Sequence, residues 1–231
     1  MPEIFSAKKP VTVQTPAPDL YFPVEVADHK RHVDEYSDVM RFETPSKNPL
    51  DSFAAKPEGT FFDSQQREEQ VVLLLRRHPV TQIGWLMISI GLILFPLLFS
   101  LIPVGELILP IYSFAALVLW YLIVLGYMAE SFLTWFFNVF IITDERVIDV
   151  DFISLIYKNV SAAKIENIED ITAATGGALR SVFDFGTVTI QTAGAQQELE
   201  FEDIPHPAKV TKLLNELILE EEREKNEGRV N

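Results

Sequence analysis

Side chains able to do chemistry are few in this chain and poorly grouped. Asp184-Phe185-Gly186 spells the tripeptide with which protein kinases hold magnesium. No glycine-rich phosphate loop precedes it and no His-Arg-Asp loop accompanies it, so Gly186 is expected simply to open a strand. His29 and His32 stand three apart around Lys30-Arg31, a weak metal-ligand pattern in a flexible basic tetrad, read here as solvated. The chain has no cysteine, which removes disulfides, thiolate-bound zinc, iron–sulfur clusters and thiol nucleophiles. No Ser/His/Asp constellation is visible, and His206 reads as a helix-entry residue. No catalytic residue, metal ligand, cofactor or small-molecule substrate emerges, and the chain is expected not to be an enzyme.

The remaining candidates are cationic and aromatic, and they flank two apolar stretches. Arg76, Arg77 and His78 precede the first stretch, Trp85 opens it, and Trp135 follows the second; these five are expected at a membrane interface. Arg76 and Arg77 stand where cationic heads meet lipid phosphates while their stems lie along the apolar boundary. Arg146 and Lys158, further on, are possible interaction residues.

The stretches that position them are long. Ile83–Ile102 holds twenty residues without a charge, thirteen of them Leu, Ile or Phe. At about 1.5 Å per residue a helix of that length spans the ~30 Å hydrocarbon core. Insertion contributes very roughly 4–8 kcal/mol at most, more than Gly84, Ser89, Gly91 and Pro96 remove. Leu107–Met128 is likewise uncharged, with Pro110 in its first turn, where a missing N–H costs little. Only Pro103–Glu106 separates the two, so they must be antiparallel neighbours. Pro96 is expected to kink the first helix, with a neighbour satisfying the carbonyl it frees. Met1–Pro10 is polar, so the apolar run reads as a retained anchor rather than a signal peptide.

Orientation follows from the basic residues. The short connection has none, whereas Arg67, Arg76 and Arg77 precede the hairpin and Arg146 and Lys158 follow it. Both termini are therefore expected in the cytoplasm, with the protein in the cell membrane as a multi-pass chain. Trp85, Phe132, Trp135, Phe136 and Phe137 suit an aromatic belt on that face. Trp120 and Tyr121 lie too deep for the belt and are expected to pack on the first helix. Neither span carries an ionisable residue, so the pair reads as an anchor rather than a transporter unless several copies assemble.

Residues 1–66 hold eight of the fourteen prolines and no sustained period, and read as a mostly disordered cytosolic tail. Its aromatics, Tyr36, Phe42 and Phe53 among them, are either chance or short docking elements for a partner or for the chain's own C-terminal domain. In the juxtamembrane segment 67–81, Val71–Leu75 is open between an interfacial helix and a strand lent to the downstream domain. The hairpin is assigned to 82–130, a β domain to 131–225 and a polar tail to 226–231.

In the β domain the period changes to two. Val139–Thr143 and Arg146–Val150 form a hairpin across Asp144-Glu145. Phe152–Tyr157, Ala163–Ala173, Thr187–Thr192 and Glu198–Glu202 are further strands, giving five or six in a small sheet or open barrel. Val210, Leu213, Leu214, Leu217 and Ile218 then form the apolar stripe of a helix whose opposite face holds Lys209, Lys212, Glu216 and Glu220. The net charge is −14 overall, and residues 131–231 carry nine basic against eighteen acidic side chains, which argues against nucleic acid.

The order of motifs carries a resemblance. Glu68–Pro79 ends in Arg-Arg-His-Pro and leads into a two-helix hairpin; Ile-Thr-Asp-Glu-Arg-Val-Ile (Ile142–Ile148), Ile-Glu-Asp-Ile (Ile168–Ile171), Phe-Gly-Thr-Val (Phe185–Val188) and Gln-Thr-Ala-Gly (Gln191–Gly194) follow. Over roughly residues 67–225 this resembles the bacterial pleckstrin-homology-like (PH-like) membrane proteins of the YdbS type. The resemblance implies a two-helix transmembrane hairpin followed by a seven-stranded PH-like β-barrel with a C-terminal amphipathic helix. The expected function is a non-catalytic, membrane-anchored module for protein interaction or assembly at the cytoplasmic face. Its expected partners are the bilayer and a protein or a second copy of itself. The alternatives are a lipid-headgroup-binding module and a membrane enzyme with an unseen site. PH domains that bind lipid usually carry a basic cluster at the first hairpin turn, where this chain has Thr-Asp-Glu-Arg.

Overall fold

The computed structural model describes residues 32–57, 59, 65, 69–99, 101, 110–154, 157–193 and 198–227. The connection Pro103–Glu106, His29 and the first thirty-one residues lie outside them.

Val71–Leu75 is a strand, β2, and it organises the fold. It shows no alternation because it is buried along nearly its whole length, as a strand covered on both faces must be. β1 (Phe53–Ala55) pairs antiparallel on one side of it, with Phe53 opposite Leu75. β3 (Val139–Thr143) pairs on the other, with Leu75 opposite Phe140. β4 (Arg146–Ser154) and β5 (Tyr157–Lys164) complete a five-stranded sheet in sequence order. Two long helices, α3 (Ile83–Phe99) and α4 (Pro110–Phe137), leave the domain between the neighbouring strands β2 and β3. They are an excursion from inside the domain, not a stalk ahead of it. With the 3₁₀ turn that leads into α3, the helical stretch Pro79–Phe99 is long and apolar enough to cross a membrane, and so is α4. α4 runs to Phe137, past the expected boundary at 130, because its aromatic last turns continue the helical pattern up to the first residue of β3.

The expected PH-like β-barrel does not form. A 3₁₀ turn at Ile165–Asn167, with Ile165 buried, carries the chain into a separate three-stranded sheet. That sheet holds β6 (Ile168–Ala174), β7 (Phe185–Thr192) and β8 (Glu198–Pro205). Among the described residues no ladder joins the two open sheets. The stretch expected as one strand from 163 to 173 is broken by that turn, and Phe152 belongs to β4. β2–β8 make the seven strands the resemblance implies, and β1 is an addition.

Side chains rather than ladder bonds hold the sheets together. Phe140 of β3 stacks on Phe201 of β8 with ring centroids 4.4 Å apart. Leu73, Leu75, Ile142 and Val147 face Val188, Ile190 and Ile204 in one cluster. The C-terminal helix α6 (Pro207–Glu227) lays Val210, Leu213, Leu214 and Leu217 into the same cluster.

The expectation of a structureless tail over 1–66 is corrected for residues 32–57. Two single-turn helices, α1 (Val33–Tyr36) and α2 (Asp38–Arg41), bury Val33 and Met40 in the common core. Two such apolar side chains contribute about 1.5–3 kcal/mol each. Glu216 and Glu220 are therefore not on a solvated face: Ser37 Oγ donates to Glu216 at 2.5 Å, and Glu220 is buried. Of the tail aromatics, Tyr36 and Phe53 pack against the core, while Phe42 is exposed.

The two long helices face each other through polar backbone as well as apolar side chains. Pro96 has no N–H to offer the carbonyl of Leu92 one turn back. Trp120 fills that gap, its indole N–H donating to Leu92 O at 3.0 Å while its ring stacks on Phe95 at 4.9 Å. Tyr121 donates to Ile93 O at 3.3 Å. Both aromatics thus pack on the first helix, as the sequence suggests.

Candidate functional site

Where β2 turns into α3, most of the expected interface residues meet. The first, Arg76, is turned inward: it is 7% exposed, with its guanidinium 4.9 Å over the ring of Phe136. Its Nε donates to Phe136 O at 3.0 Å and its Nη1 to Asp51 O at 3.1 Å. Burial lowers its pKa, against the pull of Asp51. The expectation that this charge meets lipid phosphates is corrected, because one side chain ties the end of β2, the approach to β1 and the last turn of α4 together.

Arg77 pairs with Glu202 of β8, and its carbonyl accepts from Trp135 Nε1 at 2.9 Å. His78 donates its backbone N–H to Asp203 O at 2.7 Å and stacks on Phe185 at 5.1 Å. Burial, then the neighbouring His206, hold its imidazole below the usual pKa, with Asp184 opposing. Its Nδ1 accepts from Val80 N–H at 3.2 Å, capping the 3₁₀ turn Pro79–Gln82 that leads into α3. Trp85 Nε1 donates to Gln82 at 2.7 Å. Arg77, His78, Trp85 and Trp135 therefore gather around the roots of the two helices.

Arg146 is elsewhere and engaged. It grips Glu69 through two hydrogen bonds of 2.8 Å, and the Glu69 side chain has no exposure at all. Thr143 Oγ1 donates to the same carboxylate at 2.8 Å. The hydrogen bond to Glu69 chiefly raises the pKa of Arg146. Lys158 stands exposed on β5, opposite Phe152.

The Asp-Phe-Gly tripeptide is where a turn passes into a strand: Asp184 ends the turn, and Phe185 and Gly186 are the first residues of β7. Asp184 has φ +49°, and its Oδ2 lies 2.5 Å from His206 Nδ1. Gly186, the second residue of β7, lies where a Cβ would stand 2.5 Å from Ala174 O, so only glycine lets the two strands close up.

A groove of about 490 Å³ opens at the seam between the sheets. Asp149, Asp151, Asn159 and Ser161 line one wall, Glu198, Glu200 and Glu202 the other, and Arg77, Thr134 and Asn138 lie at the helix-root end. A second hollow of about 540 Å³ shares those last three residues and reaches Trp85, Tyr127 and Glu130. Asp149 is the buried member, 8% exposed, with Oδ1 lacking a hydrogen-bond partner. Burial first, then Asp151 and Glu202, push its carboxyl up to about 7, against the pull of Arg77. Among the described residues no group of three His, Asp or Glu side chains is placed to hold a metal ion. The chemistry the groove offers is recognition of an organic cation such as a lysine or arginine side chain.

Asp149, Glu69 and Asp51 were not singled out from sequence. Glu69 meets Arg146 only because β2 pairs with β3 across the helical excursion, so no local spacing signals it. The buried character of Asp149 had one trace, its place within the apolar alternation of Arg146–Val150.

A family model for the bacterial PH domain matches residues 83–218. No curated protein matches the chain. A crystal structure of a DUF1696 family protein with a pleckstrin-homology domain, from Shewanella loihica, matches at 18% identity and a TM-score of 0.28. The match covers 35% of this chain and 69% of that one.

Proposed function

The chain belongs to the bacterial PH domain family, and from that premise we propose that it is a non-catalytic, membrane-anchored PH-like module that meets protein partners at the cytoplasmic membrane face. α3 and α4 would be its anchor, and the lack of Lys or Arg between them supports a cytoplasmic side for both termini. The observation that carries the partner class is the groove: five carboxylates line it, and its one arginine, Arg77, is paired with Glu202. Such a surface favours a cationic segment of a protein, or of a second copy, over an anionic headgroup. Recruitment needs no lipid affinity, since the tether already holds the domain at the bilayer, where each basic group adds only about 1 kcal/mol.

The test uses the full chain in nanodiscs of mixed anionic and zwitterionic lipid. Proteins cross-linked to it from a membrane extract should be lost on joint replacement of Asp151→Lys and Glu200→Lys, with the lipid composition around it unchanged. Selective retention of anionic lipid that Lys158→Glu abolishes would instead establish the headgroup-binding reading.

A further inference from the structure

Between β6 and β7 the chain makes a five-residue helix, α5 (Ala178–Val182), that turns its apolar side chains outward. Leu179 is 67% exposed, Val182 76% and the adjoining Phe183 45%. Outside α3 and α4, no other five residues among those described expose three large apolar side chains. Hydrophobic exposure grouped in this way marks a contact surface, whereas single exposed residues need no explanation.

The position of α5 says what the contact is. The Phe183 ring lies 6.4 Å from the His78 imidazole, and His78 is followed at once by the turn that starts α3. Asp203 accepts the His78 backbone N–H and holds Arg180 at 2.8 Å with its carboxylate. Arg180 is the one charged residue of α5. The helix thus lies beside His78, at the entry to the turn that leads into α3, with its charge drawn back toward β8 and its apolar side chains exposed. The same end of the domain carries Trp85 and Trp135, the aromatic pair at the helix roots.

We propose that α5 is a third membrane contact, in which Leu179, Val182 and Phe183 enter the boundary between headgroups and acyl chains of the bilayer that α3 and α4 cross. The proposal rests on the reading of α3 and α4 as membrane-spanning. Two stems alone leave the domain free to tilt about their roots. A third apolar foot, displaced from the stems, fixes the tilt and hence the direction in which the inter-sheet groove faces. This contact is apolar and interfacial, so it demands no affinity for anionic headgroups.

The absence of cysteine makes the test direct. Val182→Cys, Leu94→Cys and Asn215→Cys are made one at a time in the full chain, labelled with a nitroxide and placed in nanodiscs. Leu94 lies in the middle of α3, and Asn215 is exposed on α6. Accessibility to oxygen, which concentrates in the acyl region, is compared with accessibility to a water-soluble nickel chelate. The label at 182 should fall between the other two, with several-fold less nickel access than at 215. Nickel access at 182 equal to that at 215 overturns the proposal. A label at 182 that is immobilised and shielded from both reagents also overturns it, and assigns the patch to a protein, with spin–spin broadening marking a second copy. If Leu94 itself is open to nickel, the membrane-spanning reading fails and takes this proposal with it. The double variant Leu179→Ser, Val182→Ser, labelled at Phe183→Cys, gives a second reading: its nickel access should rise several-fold over that of Phe183→Cys alone.

Discussion

A carboxylate, Asp149, is the residue on which the groove turns. Free aspartate ionises near pH 3.8, and burial in the folded protein moves this one to about 7. Between those values the native state holds a proton that the unfolded chain has released, so stability falls as pH rises through that window and the loss is complete above it. The difference sets a ceiling near 4 kcal/mol, and the solvent reaching the groove leaves on the order of 1–3 kcal/mol. Asp149→Asn should therefore raise the melting temperature at pH 8 and change it little near pH 4. Equal effects at both values, or a loss at pH 8, would show that the carboxylate is ionised and satisfied in the folded state. The basic residues follow a different logic. Arg76 and Arg146 have their charges spent inside the fold, on carbonyls, a ring and a buried carboxylate, where removing the cation strands a desolvated partner.

At the scale of the element, α6 shows how a stripe of apolar residues becomes structure. Its positions 210, 213, 214 and 217 are all fully or almost fully buried, as a helical period of 3.6 requires of one face. Leu217→Ala should cost roughly 2–5 kcal/mol, measurable as a lower melting temperature of the full chain in detergent. An unchanged temperature would mean that the helix does not pack on the sheets. Sequence periodicity placed this stripe correctly and set Glu216 and Glu220 on the opposite face, but a helical wheel does not know that α2 will come to lie beside that flank and bury them in part. β2 is the converse case. Five consecutive apolar residues carry no period, and only their burial within a sheet tells strand from interfacial helix.

For the whole molecule, the consequence of α3 and α4 leaving from between β2 and β3 is that the domain cannot be cut at the end of the hairpin. Residues 131–231 lack β1, β2, Met40 and the buried Glu69, and should not unfold cooperatively. Joining His78 to Asn138 through a linker of about five residues converts β2 and β3 into an ordinary hairpin, since Leu75 and Phe140 already face each other. A chain of residues 32–227 rebuilt in this way should be water-soluble and melt in one transition. A cooperative melt of 131–231 at the same temperature would show that the strands before the hairpin are dispensable.

Composition and period determined the features that depend on neighbouring residues alone: two apolar helices with a short connection, strand candidates after them, an amphipathic last helix, and the deep packing of Trp120 and Tyr121. The motif order from Glu68 to Gly194 carried the family. Tertiary structure decided what depends on residues far apart in the chain. Pairing across the helical excursion made a strand of Val71–Leu75, brought Glu69 to Arg146, and drew Val33, Met40 and Ala55 out of an apparently structureless tail into the core. The barrel of the sequence reading became two open sheets because a three-residue turn at Ile165 redirects the chain, and turns of that length have no period to read. The groove has the same origin: its two acidic walls lie some fifty residues apart in sequence, and each alone looks like the solvated face of a strand.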